Sequence, residues 1–174
     1  QAFAINPIEP LYHDEAASTL SLLTGLAIES RNATEAAEFA REAIRQSDIA
    51  LRIAPNNVNY WKTRTKILYS FAPFDPTFTK AAITALEKAQ ELSPNDPKIT
   101  YNLAILSGQN GDNQKAIELL KTAVDLKPNY RDAYWALNIF YNETGQRELA
   151  KSILSEYLSK VNPNDSEFLQ AQTQ

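Results

Sequence analysis

PKITYNLAILSGQNGDNQKAIELLKTAVDLKP, residues 97–128, is the stretch whose reading decides the fold. Its first half places Ile99, Leu103 and Leu106 on one stripe at helical spacing. Gln109-Asn110-Gly111-Asp112 ends that helix: Gly111 suits the left-handed conformation after a helix end, and Asp112 or Asn113 is placed to cap the next one. The second half carries Ala116, Leu119, Leu120, Ala123, Val124 and Leu126 on a broad apolar face. Pro128 then stops it, lacking the backbone donor a longer helix needs. Small residues at Ala104, Ala116 and Ala123 allow close approach of the two helices. Neither helix buries its stripe alone, so neighbouring pairs must stack on it.

Working outward, 34 positions separate Pro94 from Pro128, and the next unit repeats the pattern up to Pro163. The stretch resembles the tetratricopeptide repeat, whose W-x2-L-G-x2-Y…A-x3-F…P pattern reads here as Thr100, Leu103, Ala104, Ser107, Ala116, Leu120 and Pro128. Thr100 and Ser107 stand where that family has large residues. The following unit restores them with Tyr134, Leu137, Tyr141, Gly145, Ala150 and Leu154. The resemblance implies an all-α fold, a right-handed superhelix of antiparallel helix pairs with about four repeats.

Laid over the whole chain, the period gives a proline-rich lead-in (1–10) and a lengthened first helix pair (11–55). A second repeat (56–94), a third (95–128) and a fourth (129–163) follow, and then a partial capping helix (164–174). All are read as one domain. The first pair is expected to turn Leu20, Leu23, Leu26 and Ala27 inward, with Asn32 capping its second helix and Glu35 three residues on. The second repeat points Trp61, Ile67 and Leu68 inward and sets Ala82, Leu86 and Ala89 at the family's small-large-small spacing. Its closing prolines, Pro55 and Pro94, lie 39 residues apart, and the surplus falls in Phe71-Ala72-Pro73-Phe74-Asp75-Pro76. The rings of Phe71, Phe74 and Phe78 are expected to fold back over the flanking helices, with an exposed contact patch as the alternative. Arg64 falls at an inward position, where it calls for a carboxylate such as Glu42 or Glu87; a rotated helix that leaves it exposed is the alternative reading.

Composition narrows the function. A net charge of −4 argues against a nucleic-acid or anionic-lipid surface, and the absence of cysteine excludes disulfides and thiolate metal sites. No apolar run approaches the length of about 18 residues that spans a membrane. The chain begins at Gln1 and has no methionine, which implies a processed form or a fragment of a larger protein. His13 is the one histidine; Asp14 and Glu15 adjoin it, but no second base, nucleophile or metal partner stands at working spacing, so a structural role is expected. Three Asn-x-Ser/Thr patterns, at Asn32, Asn142 and Asn164, fall at helix ends or turns and read as caps. No catalytic residue, cofactor or metal site is expected.

The resemblance implies a concave groove lined by the first helix of each pair. Its outward residues here are Asn59, Lys62, Thr63 and Lys66, then Lys98, Tyr101, Asn102 and Ile105, then Asp132, Trp135, Ala136 and Ile139. Some family members clamp a peptide carboxylate with lysine and asparagine. Lys62, Lys66 and Asn102 partly match that arrangement, whereas Asp132 and Ala136 stand where it needs basic groups. The expected function is a non-catalytic scaffold for a protein or peptide partner, cytoplasmic or tethered to a membrane by another part of the chain. Packing of Trp135 and Tyr101 within the repeats is the bland alternative. A second, softer resemblance joins Asn6-Pro7-Ile8-Glu9-Pro10-Leu11-Tyr12-His13, the long first pair, Ala54-Pro55-Asn56-Asn57 and the Phe/Pro insertion. It is similar to the soluble tails of bacterial O-antigen ligase or polymerase-like membrane proteins and implies an accessory domain of a glycan enzyme. Self-association of apolar repeat ends is the third reading, giving a homo-oligomer.

Overall fold

The computed structural model describes residues 9–173, so the Asn6-Pro7-Ile8 motif and most of the lead-in lie outside the described residues. These form helices only: α1 (Pro10–Glu29), α2 (Ala33–Ile53), α3 (Val58–Phe71), α4 (Thr77–Leu92), α5 (Pro97–Gln109), α6 (Asn113–Leu126), α7 (Arg131–Glu143), α8 (Arg147–Lys160) and α9 (Ser166–Gln172). They fall into two compact units, Gln1–Leu92 and Ser93–Gln174.

In the first unit α1 and α2 pair along their length. Pro10 opens α1, where a missing N–H costs nothing, and Asn32 Oδ1 accepts from Glu35 N to start α2. The inward face of α1 is small and polar: His13, Ala17, Thr24 and Ala27 are buried. Against it lie Ala36, Ala43, Gln46 and Ala50 of α2, also buried. This corrects the sequence reading, because Leu23 and Leu26 are exposed at 37% and 57%. Alanines win the interface because two long helices approach closely only where side chains are short. His13 Nδ1 meets Gln46 Oε1 at 2.5 Å, and Gln46 Nε2 donates to Glu42 Oε1 at 2.6 Å.

Arg64 of α3 is paired rather than exposed, but its carboxylate is Asp48 at 2.8 Å and not Glu42 or Glu87. Its other nitrogen donates to the Ile44 carbonyl at 2.9 Å. Glu42 takes Arg45 instead, at 2.6 Å. Beyond α3, Phe71 is buried and Phe78 meets it edge-on at 5.6 Å, so these two rings fold back. Phe74 does not; it is 62% exposed.

The second unit is built on caps and small residues. Asp96 accepts from Lys98 N and Ile99 N, Asp112 from Lys115 N, and Asp165 from Phe168 N. Gly111 and Gly145 take φ of +89° and +76° at the turns after α5 and α7, a conformation open to glycine at little cost. Ala104, Ala116, Leu120, Ala123, Ala133, Leu137 and Ala150 make one continuous core. Gly108 lies against Phe140: a methyl group there would run into the ring, so only glycine permits this approach of α5 to α7. A second cluster joins Tyr134, Leu154, Tyr157, Leu158 and Phe168 and fastens short α9 to α8. Asn142 and Asn164 are not side-chain caps: Asn142 sits in α7 and donates to the Asn138 carbonyl, and the Asn164 N–H bonds Asn162 Oδ1.

Candidate functional site

First helices α5 and α7 enclose a hollow of about 280 Å³ in the second unit. Tyr101, Ile105 and Gln109 line it from α5; Arg131, Asp132, Trp135, Ala136, Ile139 and Phe140 line it from α7. Spacing explains the set: 101, 105 and 109 repeat every four residues, and 132, 135, 136 and 139 follow the same helical stripe. Alanine at 136 keeps the floor low between two large side chains. Ile139 is 42% exposed, an aliphatic surface already facing water.

The aromatic walls are themselves supported. Tyr101 lies 5.1 Å from the Tyr130 ring, and Trp135 lies 5.1 Å from the Phe168 ring. Packing and lining therefore coexist in Tyr101 and Trp135. Burial, reinforced by the charge of Asp132, pushes the Tyr101 phenol above its usual range, and burial does the same to Tyr130. Both phenols thus stay neutral hydrogen-bonding groups at physiological pH.

The charges at the mouth are unequal in freedom. Arg131 Nε donates to Asp165 Oδ2 at 2.7 Å and Nη2 to Asp165 Oδ1 at 3.1 Å, and the same Nη2 also reaches Glu167. Its guanidinium sits 5.3 Å above the Phe168 ring. Donating to the Asp165 carboxylate makes Arg131 hold its proton more tightly than usual. Two carboxylates therefore neutralise the arginine, while Asp132 stands exposed at the start of α7. The rim carries net negative charge.

Lys98 and Asn102 are exposed on α5 but do not line the hollow. In the first unit, Asn59 and Lys66 face solvent and Lys62 is half-buried. Thr63 is engaged internally, its hydroxyl donating to Asp14 Oδ2 at 3.1 Å. Burial pushes the Asp14 carboxyl up, with the Thr63 bond opposing. Gln109, Arg131 and Phe140 are lining residues that the sequence reading did not include. Gln109 was legible as the next turn after Ile105, whereas Phe140 depends on the glycine at 108. Trp135 also lines an adjoining, larger hollow of about 780 Å³, bounded by α8 and α9 with Arg147, Lys151 and Glu167. Among the described residues no group of three His, Asp or Glu side chains is arranged to hold a metal, and no helix is long and apolar enough to cross a membrane.

Helices in antiparallel pairs, turned by glycine and closed by proline, with a hollow between first helices, define an all-α helix-pair repeat fold. It is the tetratricopeptide-repeat fold, and residues 109–174 match the family model described as a tetratricopeptide repeat. A curated relative, photosystem I assembly protein Ycf3 of Rippkaea orientalis, is 31% identical over 107 residues, 58% of this chain. The chain spans 60% of that protein's length. Among solved structures, MamA shares the fold at a TM-score of 0.64 and 18% identity, over 99% of this chain and 85% of the other. YrrB, described as a TPR protein with an unusual peptide-binding site, does so at 0.63 and 19%, over 99% and 96%. A thermophilic TPR protein of Thermus thermophilus does so at 0.62 and 15%, over 99% and 84%.

Proposed function

We propose that this chain is a non-catalytic repeat scaffold that holds a peptide or protein partner in the hollow between α5 and α7. One observation carries the reading: an apolar hollow on successive first helices, with Ile139 exposed and a low alanine floor between aromatic walls. Such a site takes an apolar side chain, and free Asp132 at its mouth favours a basic residue beside it. YrrB, a protein of the same fold, is described as having a peptide-binding site, which is in keeping with a peptide partner here. Four successive repeats within one domain, and solvent-facing Asn59, Lys66, Lys98 and Asn102 with half-buried Lys62 as further contacts, belong to the same proposal. The resemblance to glycan-ligase tails rests on sequence motifs alone.

The test is selection of peptides from a displayed library on the folded protein, followed by titration of variants. Ile139→Asp and Trp135→Ala are expected to weaken the selected peptides by about 30-fold or more, in line with the loss of an anchor contact. Helical circular dichroism should stay unchanged. Peptides that bind both variants as they bind the parent would end this reading.

A second reading, self-association, is favoured by α1, where Leu22 and Leu26, one turn apart, are 73% and 57% exposed. Sedimentation should then show a dimer that Leu22→Asp converts to monomer; a monomeric parent at about 100 μM, a concentration at which even a 10 μM dimer would be populated, refutes it.

A further inference from the structure

Three turns in this chain share one geometry and differ in one residue. Asn32 N donates to the Ala27 carbonyl at 2.8 Å, Asp112 N to Ser107 at 2.9 Å, and Gln146 N to Tyr141 at 2.8 Å, each five residues back. The residue just before each donor has positive φ: Arg31 at 57°, Gly111 at 89° and Gly145 at 76°. Glycine adopts that conformation freely, whereas a residue with a Cβ is disfavoured in it. The first turn thus holds an arginine where the other two hold glycine.

Arg31 borders an apolar slot of about 410 Å³, floored by Ala36 and Ala40 and walled by Phe71, Phe74 and Phe78. It is the single charged residue among those that line the slot, and its guanidinium has no hydrogen-bond or ion-pair partner among the described residues. Phe74 belongs to the insertion that lengthens this repeat beyond 34 residues, and it stands 62% exposed on the lip. An arginine in a glycine position and an inserted ring are independent departures from the repeat pattern. Both face the same slot.

We propose that this slot is a docking site of its own for a protein segment that presents a bulky aliphatic or aromatic side chain next to an aspartate or glutamate. The walls remove apolar surface from water, and Arg31, desolvated by the occupant's backbone, takes the carboxylate in a bidentate pair. The slot is open along its lip, so the occupant brings its own cover. A folded-over peptide segment supplies that cover; an isolated acyl chain does not.

The experiment uses the full chain carrying Ile139→Asp, so that the α5–α7 hollow takes no peptide. Two fluorescent peptide sets share a Leu-Phe pair, flanked by glutamate in one set and lysine in the other, and binding is read by anisotropy. The glutamate set is expected to bind about tenfold more tightly, as charge complementarity at a partly covered site gives. Arg31→Gly should abolish that preference while melting at or above the parent temperature, because it relieves the positive φ. Phe74→Ser should weaken both sets by about tenfold. Equal binding of the two sets, a preference that survives Arg31→Gly, or absence of binding by either set would overturn the proposal. So would capture of a long-chain fatty acid where neither peptide set binds.

Discussion

Phe168→Ala is expected to lower the stability of the second unit by about 3–5 kcal/mol, the range for removing a fully buried aromatic ring. Phe168 is 0% exposed although it sits on a helix of seven residues. A helix that short does not persist by its own hydrogen bonds. Its place therefore depends on what the ring touches: Tyr157 stacked at 3.9 Å, Trp135 at 5.1 Å and the Arg131 guanidinium at 5.3 Å. Removing the ring leaves a void between three large groups that cannot all close on it, so the penalty should sit near the top of the range. Phe168→Leu, which keeps most of the volume, should cost about 1.5 kcal/mol or less. The readout is tryptophan fluorescence in a Trp61→Phe background, in which Trp135 is the only indole and reports on the second unit alone. The Trp135 emission should shift to the red even in the folded variant, because its supporting ring is gone. An unchanged urea midpoint and emission maximum would mean that α9 does not dock as described.

That dependence on α9 was not legible in the chain. Residues 166–172 read as the start of a cap, and nothing in a seven-residue stretch reveals that its one phenylalanine closes a cluster. The helix ends were legible, because they depend on local chemistry: Asp112 and Asn32 cap, Gly111 turns, and prolines stop. The α1 face was misread for a definable reason. Hydrophobicity selects Leu23 and Leu26 beside Ala27, but the contact with α2 selects on size: Ala27 is buried as expected, and Ala17, not the leucines, joins it. Arg64 was legible as a paired arginine and illegible as to partner, since Asp48 meets it through the register of α2 against α3.

The hollow shows the same division. Tyr101, Ile105, Asp132, Trp135 and Ile139 were named from the resemblance to the repeat family, which implies a groove along the first helices, and the structure groups them around one space. Lys98 and Asn102 belong to the same helix as Tyr101 but point to a different sector, a distinction of about 100° per residue that a list of outward positions blurs. Arg131 needed tertiary knowledge, because its two carboxylates come from residues 165 and 167.

Those carboxylates set the second large effect. Asp165→Ala is expected to destabilise the second unit by about 2–4 kcal/mol at neutral pH, since it removes several charge-assisted bonds at once. Asp165 is 9% exposed and serves four groups: Arg131 Nε, Arg131 Nη2, the Tyr157 hydroxyl at 3.2 Å and Phe168 N at 3.4 Å. The Arg131 bond, joined by the Phe168 N–H and opposed by burial, holds the Asp165 carboxyl below the usual carboxylate range. A native pKa below the unfolded one means that the native chain binds fewer protons there. The resulting stability is fully present above the unfolded aspartate value of about 3.9 and is lost as pH falls through the lower native value. The parent should therefore lose stability steeply below about pH 4, and Asp165→Ala should lose less over the same interval. Urea midpoints of the two proteins at pH 7 and near pH 3, followed through Trp135, measure this directly. The midpoints should converge in acid, because protonation removes from the parent what the substitution has already removed from the variant. Parallel pH profiles would show that the Arg131–Asp165 pair holds α9 in geometry without contributing charge-dependent stability.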